Sequence, residues 1–165
     1  MKQITRAELR GISIADLVLL HLNRAGDTAF TTEQIKIVKA ELQEDDTLLI
    51  SLNPDVKTGW TNGPIDVRIP RVKVGEVYDE TVIEWADCQV GTLAQVLTAA
   101  HLPPPPPSSV VVSEYLMLDP GPELKIKYAL NYTNAFFVGT VVVRIANAPN
   151  DLDTLRFLNM LFTGE

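Results

Sequence analysis

Apolar residues recur at helical spacing in three places along the chain. Ile14, Leu17, Val18 and Leu22 predict a helix over 14–24, and Leu93, Val96 and Leu97 a second that ends by residue 102. Leu152, Leu155, Leu158, Met160, Leu161 and Phe162 predict a third near the end, with an apolar stripe too wide for a solvated tail. Elsewhere the period is two. Ile35 and Ile37 flank Lys36 in a strand over 34–42, and Leu48, Ile50 and Leu52 share one face of a strand over 47–53. Residues 60–69, 110–117, 123–130 and 136–146 read as further strands, with Asp119-Pro120-Gly121-Pro122 as a turn between two of them. Val142 makes the last strand apolar on both faces, as suits a strand covered on both sides.

Local signals punctuate these elements. Thr5 and Glu8 have capping-box spacing, so a short first helical turn is expected there before Gly11 breaks it. Ser13 caps the helix that follows, and Gly26 is expected to supply the left-handed residue that stops it. The acidic run Gln43-Glu44-Asp45-Asp46 reads as a hairpin connection, and Asn53-Pro54-Asp55 ends the second strand because proline fixes φ and offers no ladder donor. Asn150 or Asp151 caps the last helix.

The strand pattern occurs twice. Trp60, Gly63 and the run ending Val67-Arg68-Ile69 correspond to Phe136, Gly139 and the run ending Val143-Arg144-Ile145 at an offset of about 76 residues. The same offset sets Leu48 and Ile50 on Leu124 and Ile126, and Leu17 on Leu93. The expected fold is therefore α+β: two tandem modules, each a helix plus a three-stranded antiparallel sheet, related by internal duplication and followed by a C-terminal helix. The first module takes residues 1–70, a linker or extra strand 71–86, the second module 87–148 and the final helix 149–165. Residues 103–107 are five prolines, an extended and stiff polyproline II segment that serves as a strap from helix to strand. Without flanking basic residues it is a poor ligand for an aromatic groove.

With 46% apolar and 21% charged residues, the 165-residue chain has the composition of a globular protein. A net charge of −7 speaks against a nucleic-acid or anionic-membrane surface, where clustered cations must displace counterions. Residues 1–6 carry no apolar signal-peptide core and no long uncharged apolar run follows, so the expectation is a protein made in a cytoplasm and kept there or assembled from it.

Candidate chemistry is sparse. Cys88 is the only cysteine, which leaves no internal disulfide and no multi-cysteine metal site. His21 and His101 fall near the ends of the first two long helices with no second ligand at metal spacing. Glu44, Asp45 and Asp46 lack the glycine-bearing loop of a calcium site, and Asp151 and Asp153 suit a helix N-terminus. Gly59, Gly63 and Gly139 form no phosphate-binding loop, and Ser108 and Ser109 sit in no nucleophile elbow. No catalytic residue, cofactor or metal is expected.

The opening Ile4-Thr5-Arg6-Ala7-Glu8-Leu9 and the aromatic entry Phe136-Phe137-Val138-Gly139 to a Val-rich strand resemble small virion structural proteins of large-genome contractile-tailed bacteriophages. The five-proline run and Trp60, where such strands often start with Tyr, depart from that pattern. The resemblance implies a capsid, neck, tail or baseplate component whose partners are other virion proteins or copies of itself, and it transfers no catalytic residue. Trp60, Phe136, Phe137, Val142, Leu155, Leu158 and Phe162 are the expected protein–protein contacts. The alternative is a soluble protein- or ligand-binding module with Trp60 and Phe136 lining a shallow site. A small enzyme would instead need a pocket converging on His21 or His101.

Overall fold

The computed structural model describes residues 4–60, 62–103, 110–116 and 121–164. The chain is mixed α+β, divides into two compact units, Met1–Val72 and Lys73–Glu165, and ends in a helix.

In the first unit α1 (Arg6–Leu9) opens on the expected capping box: the Glu8 N–H donates to Thr5 Oγ1 at 3.4 Å and the Thr5 N–H to Glu8 Oε2 at 2.8 Å. Gly11 then adopts φ +67 and releases the chain into α2 (Ile14–Gly26), capped by Ser13. Glu8 also pairs with Arg24 across the two helices. Gly26 stays helical and Asp27 takes the left-handed position at φ +50, a conformation that a short polar side chain tolerates. Strands β1 (Ile35–Leu42), β2 (Thr47–Pro54) and β3 (Ile65–Pro70) form an antiparallel sheet in that order. Leu48 pairs with Ile69 and Ile50 with Val67, which sets four buried side chains on one face. Leu17, Val18 and Leu22 of α2, which packs on β3, complete that core. A 3-10 turn (Val56–Thr58) and Trp60 precede β3, which starts later than the aromatic entry suggests.

The second unit departs from the three-stranded arrangement. Residues 71–86 are part of its sheet, supplying β4 (Val72–Lys73), the helical turn α3 (Val74–Val77) and β5 (Thr81–Glu84). The sheet has five strands, in the order β4-β8-β7-β6, with β5 also paired to β8 (Phe137–Ala146). β5 runs parallel to β8, Thr81 against Val143 and Ile83 against Ile145, whereas β6 (Val110–Leu116) and β7 (Lys125–Thr133) are antiparallel neighbours. Parallel partners need a crossover rather than a hairpin turn, so no local turn signal marks this pairing. Helices α4 (Trp85–Cys88), α5 (Leu93–Ala99) and α6 (Leu152–Thr163) accompany the sheet. α5 carries a full capping box on Thr92 and Gln95, and Asp151 caps α6 by accepting from the Thr154 N–H at 2.7 Å.

One face of β7 and β8 holds the core: Ile126, Tyr128, Leu130 and Tyr132 alternate with half-buried neighbours and meet Phe137, Val141, Val143 and Ile145. α6 adds Leu155, Leu158 and Phe162, the last stacked on Tyr128 at 4.4 Å and 10°. The two buried tyrosine hydroxyls find partners, Tyr128 donating to Asn159 Oδ1 at 2.9 Å and Tyr132 to the Pro103 carbonyl at 3.2 Å. Beyond Pro103, the proline strap, Ser108 and Ser109 lie outside the described residues, as do Asp119 and Pro120 of the turn at 119–122.

Candidate interaction surfaces

The side chains singled out in the sequence fall into two groups. Phe137, Leu155, Leu158 and Phe162 are buried within the second unit, where the apolar stripe of α6 meets the sheet. Phe136 and Val142 are half-buried and Trp60 is exposed. Trp60 is engaged locally: its indole N–H donates to the Gly63 carbonyl at 2.8 Å, and its ring meets Phe30 edge-on at 6.1 Å. With both contacts made, Trp60 remains 38% exposed.

Val142 points to the side of the second sheet opposite the core. Its cross-strand partner there is Ala129; one step along, Lys127 stands opposite Arg144. Two cations in directly facing positions repel, and Glu80 holds both, Lys127 Nζ at 2.9 Å and Arg144 Nε at 3.3 Å. Glu80 is drawn below the usual carboxylate range by its hydrogen bond from Lys127, helped by the charges of both cations. Lys127, Arg144, Lys125 and Glu123 help line an open depression of about 220 Å³. Three of the 5 basic side chains of residues 73–165 line it, in a unit with 11 acidic ones, against 9 and 10 in residues 1–72.

In the first unit the open surface is β1. It is an edge strand, and its core-side residues Ala40 and Leu42, opposite Ile50 and Leu48, are exposed where those partners are fully buried. Val38 is 57% and Leu42 54% exposed. The register shifts between Ile37 and Lys39, a β-bulge at Val38. Neither Val38 nor Leu42 was among the expected contacts. The signal was present, since apolar residues fall on odd positions up to Ile37 and on even positions from Val38 to Leu42, and such a change of phase within a strand marks a bulge.

Groups that could carry chemistry are divided between the two units. Cys88 is buried and its thiol pushed from 9.0 to about 11, by burial first and by Asp87 second. His21 is half-buried in α2, held below its ordinary value by burial and by the Arg24 charge, whereas His101 sits exposed at φ +58 in the other unit. Asp45 and Asp46 pair with Arg68 and Arg71 at 3.0 and 2.9 Å. Among the described residues no three His, Cys, Asp or Glu side chains converge as a metal site, and no described helix is long and apolar enough to cross a membrane. No protein-family profile, curated protein or solved structure matches this chain.

Proposed function

We propose that this chain is a structural or assembly protein of a tailed-bacteriophage virion, a tail, baseplate, neck or capsid component that acts through protein–protein contacts and has no catalytic role. The observation that supports it best is the uncovered edge strand β1, with Val38 and Leu42 more than half exposed. Edges are blunted by charge, proline, a bulge or a covering loop, and β1 carries a bulge and Lys36 and Lys39, yet Val38 and Leu42 stay exposed beside its outward backbone groups. A part completed by its neighbours keeps such an edge open. The sequence resemblance of residues 4–9 and 136–145 to virion proteins points the same way. The partners are then other virion proteins or copies of itself, and the assembled virion is its location. In particles of a phage that encodes it, the chain copurifies with intact virions through a density gradient in fixed copy number by mass spectrometry. Finding it only in the lysate supernatant overturns the reading.

We further infer an internal duplication. Both β1–β2 and β6–β7 hairpins carry their register shift at matching places: between Ile37 and Lys39 across from Leu52 and Ser51, and between Val112 and Glu114 across from Tyr128 and Lys127. The third strands are less regular. Leu48 faces Ile69, but Ile126 rather than Leu124 faces Ile145, a slip that preserves the buried face. An experimental structure with the two bulges at different places along their hairpins would remove this support.

The depression beside Lys127 and Arg144 favours the second reading, a soluble binding module that takes an anionic group. Its cations are already neutralised in part by Glu80, which weakens it.

A further inference from the structure

We propose that β1 is a self-pairing edge: β1 of one copy lies antiparallel to β1 of a second copy, about a twofold axis through Ala40. The inference goes beyond the virion reading and stands without it.

The phase of the β1–β2 ladder decides which backbone groups of β1 face outward. The Gln43 N–H donates to the Thr47 carbonyl at 2.8 Å, closing a hairpin whose loop residue Asp46 has φ +63. In an antiparallel ladder hydrogen-bonded and non-bonded pairs alternate. The pairs Glu41–Leu49 and Lys39–Ser51 are therefore bonded across to β2, while Ala40 and Leu42 turn their N–H and C=O groups away from it. Those groups form the free edge. A second strand bonding to Ala40 satisfies it best if that strand also offers an outward-facing residue, and an identical copy offers Ala40 itself.

Charge then selects the register. With Ala40 opposite Ala40, Lys39 of each copy faces Glu41 of the other, as a non-bonded pair in which side chains approach most closely. The bulge at Val38 ends the regular count there, so the paired stretch is Lys39–Leu42, with Val38 and Leu42, the most exposed large apolar residues of the first unit, at its ends. Sliding one strand by two residues, the smallest step that preserves its faces, sets Glu41 against Glu41 or Lys39 against Lys39. At present Lys39 and Glu41 bridge each other along the strand at 2.6 Å with side chains 61% and 48% exposed, so both are free to exchange partners. The unit that carries this edge is nearly neutral, with 9 basic and 10 acidic residues, and its own charge does not oppose association. The occupant is thus a second copy of this chain, and the product is a six-stranded sheet continuous across the axis.

The test is the association constant of the full chain, measured by sedimentation equilibrium over a hundredfold concentration range, for the wild type and four variants. Lys39→Glu and Glu41→Lys each set like charges across both symmetry-related contacts and weaken dimerisation about tenfold or more. The double swap, Lys39→Glu with Glu41→Lys, restores it to within about threefold of wild type, because the opposite pair is rebuilt with its sign exchanged. Ala40→Pro removes an outward donor without touching the β1–β2 ladder, so it yields a monomer with an unchanged circular dichroism spectrum. A wild type that stays monomeric throughout overturns the proposal. So does a dimer indifferent to Ala40→Pro, or one that the double swap fails to rescue. The virion reading is judged by copurification with particles, so the two fail separately.

Discussion

Gly139 shows how a single residue ties two elements together. Its φ of +98 lies outside the region that side-chain-bearing residues occupy, and a Cβ built there would meet Val74 Cγ2 at 3.8 Å, ordinary contact. The cost of a substitution is therefore backbone strain rather than a clash. Gly139→Ala is expected to destabilise the protein by about 1–3 kcal/mol, read as a lower midpoint in urea with an unchanged slope. A midpoint equal to wild type would mean that the backbone relaxes at that place. The need for glycine was legible in the sequence as an odd residue opening a strand. Its cause was not, because the φ of +98 that requires it belongs to the folded strand, packed beside α3 from residues read as a linker or extra strand. Trp60 is the converse: exposure of an aromatic was foreseeable, while its indole bond to Gly63 depends on a loop whose shape no periodicity encodes.

At the level of elements, what survives translation from pattern to structure is whatever depends on near neighbours in the chain. The capping box at Thr5 and the cap at Asp151 stand where their spacing put them, and of the α6 stripe Leu155, Leu158 and Phe162 are buried while Leu152 and Met160 are exposed. What that stripe meets was open. Leu155, Leu158 and Phe162 were read as protein–protein contacts, and all three are buried within the second unit. Leu158 is fully buried, so Leu158→Ala should cost about 2–5 kcal/mol while leaving the dimerisation constant of the β1 edge unmoved. If self-association fell with stability held, α6 would have to be an interface after all. β5 escaped notice for a different reason. Its four residues, Thr81–Glu84, are too few for a period to stand out, and a parallel pairing with β8 is fixed by contacts more than 60 residues away rather than by a turn.

The whole molecule is chemically lopsided, and that asymmetry makes its alkaline behaviour predictable. All four tyrosines and the single cysteine belong to residues 73–165, and the first unit has neither. Burial raises Cys88 from 9.0 to about 11, and it raises Tyr128 and Tyr132 well above their ordinary 10.0. Each group keeps its proton in the folded unit at a pH where the unfolded chain has released it. The stabilisation is therefore complete below about pH 9 and drains away as the pH climbs toward the raised values, at up to about 1.4 kcal/mol per pH unit for each group in its window. Lysines also lose charge at high pH, but Lys36, Lys39 and Lys57 of the first unit are exposed, where pairs contribute little. The second unit should unfold first. Each unit has one tryptophan, Trp60 in the first and Trp85 in the second, the latter against Phe157 at 5.3 Å, so each can report alone. In a Trp60→Phe variant the emission of Trp85 should shift to the red at a lower pH than that of Trp60 in a Trp85→Phe variant. Adding Tyr128→Phe, which keeps the ring on Phe162 and removes a titrating hydroxyl, should move the Trp85 transition to higher pH, less the loss of its bond to Asn159. Coincident transitions would show instead that the two units unfold as one, and that alkaline lability in the second is transmitted to the first.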